Sequence, residues 1–148
     1  GHVFDHFAVE FEYPGGISMF SQCRQINGCR NRVEEAVVGT NGTSNCKDHI
    51  QPKSGEFWKF RERNAPSPYR LEHEHLIDSI RAGSPINEAR SLAESTLTGI
   101  IGREAVYSGQ TIEWDQAMNS TERLGPKEYA LGPYPIPEVA LPGIYRFS

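Results

Sequence analysis

Apolar and polar residues alternate along the first part of the chain with the period of two that is typical of antiparallel strands. Apolar side chains take every second position over 7–13, and a second alternating segment over 17–24 follows the turn Pro14-Gly15-Gly16. Gly15 and Gly16 can adopt the positive φ that a tight hairpin requires. Further strands are predicted around 33–40 and 57–60. The first half therefore predicts antiparallel sheet.

The pattern then changes to the spacing of a helical face. Apolar or aromatic side chains at positions 69, 73, 76, 77 and 80 share one side of a helix. Ser67 is a candidate N-cap, and Pro68 suits the first helical position. Gly83 and Pro85 predict the end of this helix, because a glycine favours the C-terminal turn and a proline cannot continue it.

A second helix is predicted from Asn87, as its cap, to Gly109. Its expected buried stripe consists of Ala89, Leu92, Ala93, Thr96, Leu97, Ile100 and Ile101. Gly99 and Gly102 are expected to allow a neighbouring element to approach closely. A short strand over Thr111–Trp114 is predicted to return to the sheet.

This order of elements predicts an α+β fold, with a mostly antiparallel open sheet and helices on one face. We assign residues 1–124 to an α/β domain. Residues 125–148 are rich in Pro and Gly and are expected to run extended over the surface.

Length and charge narrow the class of protein. With 148 residues the chain fits one domain, which would bury roughly 68–70% of its unfolded surface in an ordinary core. The net charge of −4 and the scattered Lys and Arg argue against a nucleic-acid partner. Apolar runs are too short to span a bilayer. Three cysteines without zinc-site spacing predict reduced thiols, or one disulfide with a free thiol.

One signature is more specific than these patterns. Residues 68–88 read P-Y-x-x-E-H-x-x-L-I-x-S-I-R-x-G-x-P-x-N-E, with A-E-S-T-L-T at 93–98 and G-R at 102–103. The segment closely resembles the C-terminal domain of the Gfo/Idh/MocA oxidoreductases. D-H-F-A-V-E-F-E-Y-P at 5–14 and W-D-Q-A-x-N-S at 114–120 add to this resemblance through their order and spacing. The resemblance implies a dihydrodipicolinate-reductase-like sheet.

The resemblance also implies a function for the whole enzyme. An N-terminal Rossmann domain would bind NAD or NADP, and a hydride would move between nicotinamide and a hydroxyl carbon of a sugar, polyol or related compound. This chain has no G-x-G-x-x-G and no Glu-Lys-Pro segment, so the Rossmann domain is absent from it. We therefore expect no catalytic, cofactor-binding or metal-binding residue here, and no activity from this chain alone.

Two other functions remain open. The same domain could belong to an NAD-dependent glycoside hydrolase of this superfamily, in which NAD is not consumed overall. It could also be an oligomerisation module without catalysis. The three hypotheses differ in whether NAD(P) is consumed and in whether any cleft residue matters for turnover.

His73, Tyr69 and Arg24 are the candidate substrate-binding residues. His73 shares the apolar face of the first helix with Tyr69, and it could contact substrate near the domain junction. The alternative is a core histidine that hydrogen-bonds a backbone carbonyl. Arg24 ends a strand, where its guanidinium could hold a carboxylate or hydroxyls of the substrate, or form a surface ion pair.

The expected partners are the chain's own N-terminal Rossmann domain, a small-molecule substrate and further copies of the chain. The resemblance implies a homo-oligomer that pairs through the sheet face, where Phe20 would be exposed. No membrane partner is expected. The cytoplasm is the favoured compartment, and export remains possible.

Overall fold

The computed structural model describes residues 2–62 and 64–148 of the chain. The strands are β1 (His6–Tyr13), β2 (Ile17–Arg24), β3 (Val37–Gly39), β4 (Gly42–Ser44), β5 (His49–Pro52) and β6 (Trp58–Lys59). The helices are α1 (Pro68–Arg81), α2 (Ala89–Ser108) and α3 (Trp114–Met118). Every strand pairing is antiparallel, which confirms the α+β class.

The chain divides into two compact units. The first comprises Gly1–Gly28 with Asn87–Ser148, and the second comprises Cys29–Ile86. Strands β1 and β2 form one sheet in the first unit, and β3-β4-β5-β6 form another in the second. We expected one open sheet, but the described strands form two separate sheets. The reason is that β2 does not pair with β3.

The hairpin of the first unit follows the sequence pattern closely. Phe7, Val9 and Phe11 are half-buried, whereas the alternate residues of β1 are exposed, which confirms the period of two. At the turn, Gly15 and Gly16 have φ of +84° and +75°, values that residues with a side chain rarely adopt.

Helix α2 packs on β1 through its second half. A Cβ added to Gly102 would lie 2.8 Å from Cζ of Phe11, so only glycine lets the two elements approach this closely. The same expectation for Gly99 is wrong, since a Cβ there would meet open space. The helix ends as predicted at Gly109, which has a φ of +68°.

The predicted stripe of α2 is only partly covered. Leu97, Ile100 and Ile101 are half-buried, whereas the positions of the stripe from 89 to 96 are exposed, with Leu92 69% exposed. The contact with β1 at Gly102 explains this difference, because the hairpin reaches only the later turns of the helix.

Two other expectations for the first unit are wrong. Residues 111–113 are not a strand; Glu113 is extended and acts as the N-cap of α3, whose Ala117 is buried. An ordinary core is also missing, because few of the described residues are buried. The buried ones are Gly102, Glu104, Ser108 and Ala117. Apolar side chains that the sequence pattern assigned to a core therefore remain largely at the surface.

The second unit contains a four-stranded antiparallel sheet with short strands. The β3–β4 turn falls at Thr40-Asn41, and Gly42 is already the first residue of β4. β3 covers only three residues of the predicted segment 33–40. Val37, Ser44, Ile50 and Trp58 stand opposite one another in register, so they form one row across the sheet.

Helix α1 begins and ends as predicted. Ser67 is its N-cap residue, Pro68 opens the first turn, and Gly83 follows the C-cap with a φ of +66°. Its apolar face packs on no strand among the described residues of its unit. The exposed fractions are 76% for Tyr69, 48% for Leu76, 46% for Ile77 and 65% for Ile80.

Two further findings concern the whole described chain. No helix within residues 2–62 and 64–148 has both the length and the apolar character needed to cross a membrane. Cys23, Cys29 and Cys46 carry free thiols, so the structure has the reduced form rather than the disulfide alternative.

Candidate functional site

His73 lies in the middle of α1, with its ring held by the preceding turn. Nδ1 is 2.6 Å from the carbonyl oxygen of Tyr69, and because a carbonyl only accepts, Nδ1 must carry the hydrogen. In the neutral ring Nε2 is then the acceptor. The backbone contact is the one expected of a structural histidine, but the residue is exposed rather than in a core. Its Nε2 can accept a hydrogen bond from a hydroxyl group.

Tyr69 lies one helical turn before His73 on the same face of α1. Residues four apart are neighbours on a helix surface, so the structure brings these two predicted residues together. The ring of Tyr69 is exposed, and it offers both an apolar face and a hydroxyl group to a partner. The pair can therefore supply an aromatic surface and a hydrogen-bond acceptor within one helical turn.

Arg24, the third predicted residue, ends β2 in the first unit. It stands opposite His6 in the hairpin register, and the next residue, Gln25, donates its backbone N–H to the carbonyl of Asp5 at 2.7 Å. These pairings fix the backbone at the open end of the hairpin. These backbone contacts do not test the side chain of Arg24. A substrate contact and a surface ion pair therefore both stay predictions. Arg24 belongs to the first unit, whereas Tyr69 and His73 belong to the second.

The sequence did not predict a buried carboxylate on α2, that of Glu104, whose exposed fraction is 1%. A buried carboxylate must be compensated by hydrogen bonds or charge. Arg103 contacts Oε1 through Nε at 2.6 Å and through Nη2 at 2.5 Å. The hydroxyl of Tyr145 contacts Oε2 at 2.7 Å. Both oxygens of Glu104 are therefore satisfied.

Tyr145 joins Glu104 to a second carboxylate. Its hydroxyl lies 2.9 Å from Oε1 of Glu122, and Nη2 of Arg103 lies 3.6 Å from Oε2 of Glu122. A phenol has one hydrogen, so it donates to one carboxylate at a time. Burial raises the pKa of Tyr145 well above its ordinary value, and the hydrogen bonds to Glu104 and Glu122 raise it further. Tyr145 therefore stays neutral at physiological pH.

The four residues Arg103, Glu104, Glu122 and Tyr145, called here the Glu104 network, hold the end of the tail on α2. The backbone N–H of Gly143 donates to the carbonyl of Ser108 at 2.7 Å. The hydroxyl of Ser120 donates to the carbonyl of Ser148 at 2.5 Å. The tail has no helix or strand, as expected, but its last residues are fixed rather than loose.

A small cavity of about 130 Å³ lies beside this network. Its aromatic wall includes Tyr107 and Tyr145, whose rings meet edge to face at 6.1 Å. Phe4 backs the ring of Tyr107 at 4.8 Å. Ligand sites for drug-sized molecules have volumes of roughly 300–1,000 Å³. The cavity is therefore too small for a dinucleotide, and its polar neighbours already satisfy one another.

The sequence did contain a sign of the buried Glu104. Leu97, Ile101, Glu104 and Ser108 follow the helical spacing of one face, so the carboxylate continues the apolar stripe of α2. Its partner Tyr145 could not be found in this way, because it lies 41 residues later in a segment without periodicity.

The described residues contain no cluster of three His, Cys, Asp or Glu side chains arranged to hold a metal ion. Comparisons of the chain with protein families, curated proteins and solved structures found no match. The assignment of a function therefore depends on the sequence signature and on the geometry of α1, the hairpin and the Glu104 network.

Proposed function

We propose that this chain is the C-terminal substrate-binding and oligomerisation domain of an NAD(P)-dependent oxidoreductase of the Gfo/Idh/MocA type. The enzyme would act on a sugar, a polyol or a related hydroxy compound. The observation that carries the proposal is the signature over 68–103, which coincides with α1, the Gly83 turn and the first part of α2. Antiparallel strands precede this helix pair, in the order that the resemblance implies.

In this proposal α1 forms part of the wall of the substrate cleft. His73 accepts a hydrogen bond from a substrate hydroxyl at Nε2, because its Nδ1 is committed to the carbonyl of Tyr69. Tyr69 offers its ring face to the apolar side of a sugar. Arg24 belongs to the first unit, and its planar guanidinium is a separate candidate for holding a carboxylate or neighbouring hydroxyls. None of these residues performs the hydride transfer.

NAD or NADP supplies the hydride chemistry and is bound mainly by the N-terminal Rossmann domain. Under this proposal the chain itself contributes no cofactor-binding residue. The chain by itself is then inactive. No metal ion takes part.

The subunit interface would use the outer face of the β1–β2 hairpin. Phe20 lies on this face opposite Glu10 and is 69% exposed. The face that carries Phe7 and Phe11 packs on α2, so the other face is left for a partner. A homo-oligomer that pairs these faces would cover Phe20.

The reading frame before Gly1 provides the first test. A strand, a G-x-G-x-x-G turn and a helix within about 150–200 residues upstream would support the proposal. An unrelated domain there would overturn it. Reduction of NAD(P)⁺ by the complete protein with sugars or polyols would then separate a dehydrogenase from a glycoside hydrolase, which leaves the amount of NAD unchanged.

A pair of histidine variants tests the site in the complete enzyme. We expect His73→Ala to raise KM for the substrate and lower turnover, with unfolding unchanged because the side chain is exposed. His75→Ala is the matched control, since it removes an exposed histidine of the same helix outside the apolar face. If both variants had the same kinetics as the wild type, His73 would not belong to the substrate site. That result would favour the alternative that this domain is an oligomerisation module without a catalytic role.

A further inference from the structure

Asparagine precedes glycine at 27–28 and again at 41–42, and the two pairs have different backbone surroundings. An Asn-Gly pair is chemically labile, because glycine has no side chain to keep its backbone nitrogen away from the amide of the asparagine. Asn27 and Asn41 are both exposed, so composition and exposure do not distinguish them. The contacts of their backbones do.

The reaction of such a pair needs only water. The backbone nitrogen of the glycine attacks Cγ of the asparagine and forms a C–N bond, while the C–N bond of the side-chain amide breaks. Ammonia leaves and takes the proton of the glycine nitrogen, so that a succinimide ring remains. Water then opens the ring at either carbonyl and gives aspartate, or isoaspartate, whose main chain runs through Cβ. In sum, the amide and water become a carboxylic acid and ammonia.

Ring closure makes a demand on the backbone. The peptide group between the two residues must rotate about the Cα–C bond of the asparagine until the glycine nitrogen faces Cγ. Strand pairing on either side of that peptide group resists the rotation, and the paired strands must open before the ring can form. The rate of conversion therefore depends on whether the pair lies in a sheet.

The peptide group between Asn27 and Gly28 has no such restraint. It lies in a turn, and residues 25–36 contain no strand. Within residues 2–62 and 64–148, no hydrogen bond involves the backbone of either residue or the side chain of Asn27. Gly28 has a φ of +79°, and a Cβ placed on it would meet nothing within 4 Å. The surroundings therefore leave room for the rotation and for water.

The peptide group between Asn41 and Gly42 is held in the sheet of the second unit. The carbonyl oxygen of Asn41 accepts a hydrogen bond from the backbone N–H of Lys53 at 2.9 Å. Gly42 stands opposite Gly39 of β3 and Pro52 of β5, so it has a paired strand on each side. A Cβ placed on Gly42 would lie 2.9 Å from Cα of Pro52, which shows how closely the backbones approach. This peptide group can rotate only after β4 separates from its neighbours.

We propose that Asn27 is a deamidation site of the folded chain, which reacts through a succinimide with Gly28, whereas the pairing of β4 protects Asn41. The product carries an additional negative charge. Its isoaspartate form also adds an atom to the main chain just before the chain passes from Gly28 of the first unit to Cys29 of the second. This modification does not depend on the enzyme family proposed above.

Peptide mapping compares the two sites in the same molecule. The folded chain is incubated in mildly alkaline buffer and digested with trypsin, which places Asn27 in the peptide 25–30 and Asn41 in the peptide 33–47. Mass spectrometry with fragmentation then measures aspartate and isoaspartate at each position. We expect Asn27 to convert at least about tenfold faster than Asn41, because only Asn41 requires local opening of paired strands. Equal rates, or a faster Asn41, would overturn the proposal.

The same incubation in urea provides the control for the covalent chemistry. Both sites are Asn-Gly, so the unfolded chain should convert them at similar rates. We expect unfolding to accelerate Asn41 strongly and to change Asn27 little. If unfolding accelerated Asn27 as much as Asn41, the fold would protect both sites and the proposal would fall.

A matched pair of variants tests which asparagine produces the charge change. Isoelectric focusing of the incubated wild type should show an acidic species. We expect Asn27→Gln to remove most of it, because a glutamine side chain does not form the succinimide, and Asn41→Gln to leave it unchanged. An acidic species that persists in Asn27→Gln would contradict the assignment.

Lys53→Pro tests the cause of the protection. Proline has no backbone N–H, so this change removes the donor to the carbonyl oxygen of Asn41. We expect Asn41 to convert faster in this variant without denaturant, and Asn27 to convert as in the wild type. An unchanged rate at Asn41 would contradict protection by the pairing of β4.

Discussion

Helices α1 and α2 were predicted from the same kind of apolar periodicity, yet the structure treats their faces differently. The later turns of α2 are covered by β1 and by Tyr145 from the tail, and they bury the charged Glu104. The face of α1 stays exposed, with His73 and Tyr69 upon it. Periodicity thus identifies a face that needs a partner, but it does not say whether the same unit supplies one.

The largest expected effect is at Glu104. Glu104→Ala should lower the free energy of unfolding by about 3 kcal/mol, because Arg103 and Tyr145 lose their shared partner in a buried site. Arg103 remains 31% exposed, so water partly compensates and a larger loss is not expected. Urea denaturation provides the measurement. Glu74→Ala removes the exposed partner of Arg70 on α1 and serves as the control. Equal losses of unfolding free energy for Glu104→Ala and Glu74→Ala would contradict the difference between the covered face of α2 and the exposed face of α1.

Two glycines of α2 offer a sharper comparison within one helix. Gly102→Ala should destabilise by about 1–2 kcal/mol, since the new Cβ would lie 2.8 Å from the ring of Phe11. Gly99→Ala should stabilise by about 0.5–1 kcal/mol, because its Cβ meets open space and alanine is the better helix former. Thermal unfolding of both variants checks the signs. A stabilising Gly102→Ala would mean that β1 does not approach α2 closely.

Removal of the hydroxyl of Tyr145 should have an intermediate effect on the free energy of unfolding. Tyr145→Phe leaves Oε2 of Glu104 without its donor and should cost about 1 kcal/mol. The tail should also become easier to cleave, because its anchor weakens. Limited proteolysis followed by mass spectrometry would locate the cleavage between 125 and 148. Tyr69→Phe on α1 should leave both stability and cleavage unchanged, and an equal response would show that the anchor is unimportant.

The apolar face of α1 should be almost neutral for the stability of this chain. Ile80→Ser changes a side chain that is 65% exposed, so the free energy of unfolding should stay within about 0.5 kcal/mol of the wild type. Ile101→Ser, in the covered part of α2, should cost clearly more. A large loss for Ile80→Ser would show that α1 is packed within the chain.

The smallest expected effect is a change with pH in the β4–β5 loop. Asn45, Lys59 and His49 hydrogen-bond the carboxylate of Asp48 and hold its pKa at about 2, below the ordinary 3.8. The folded form binds this proton less readily than the unfolded form, so the stabilisation is complete above about pH 4 and lost as the pH falls through 2. A titration followed by NMR would detect it. A midpoint for Asp48 at its ordinary value would contradict the contacts.

Local patterns predicted the local parts of the structure. The hairpin turn at Gly15-Gly16, the alternation of Phe7 and Val9, and the ends of α1 depend on neighbouring residues, so short stretches of sequence are sufficient. The tautomer of His73 also depends on a contact within one helical turn.

Contacts between distant segments could not be predicted in this way. The separation into two sheets and the pairing of Glu104 with Tyr145 depend on which segments meet in space. The strand expected at 111–114 failed for a related reason. A strand needs a neighbouring strand to pair with, and Glu113 is instead the N-cap residue of α3. The resemblance to an enzyme family likewise concerns the order of segments and not their contacts.

Hydrogen exchange of the backbone amides of α1 and α2 in this chain tests the central comparison most directly. The account predicts slow exchange for the turns of α2 from Leu97 to Ser108, and much faster exchange throughout α1, whose face is free to meet a substrate or another domain. Equal protection of both helices would contradict it. The face that carries Tyr69 and His73 would then be covered inside the chain and closed to any substrate.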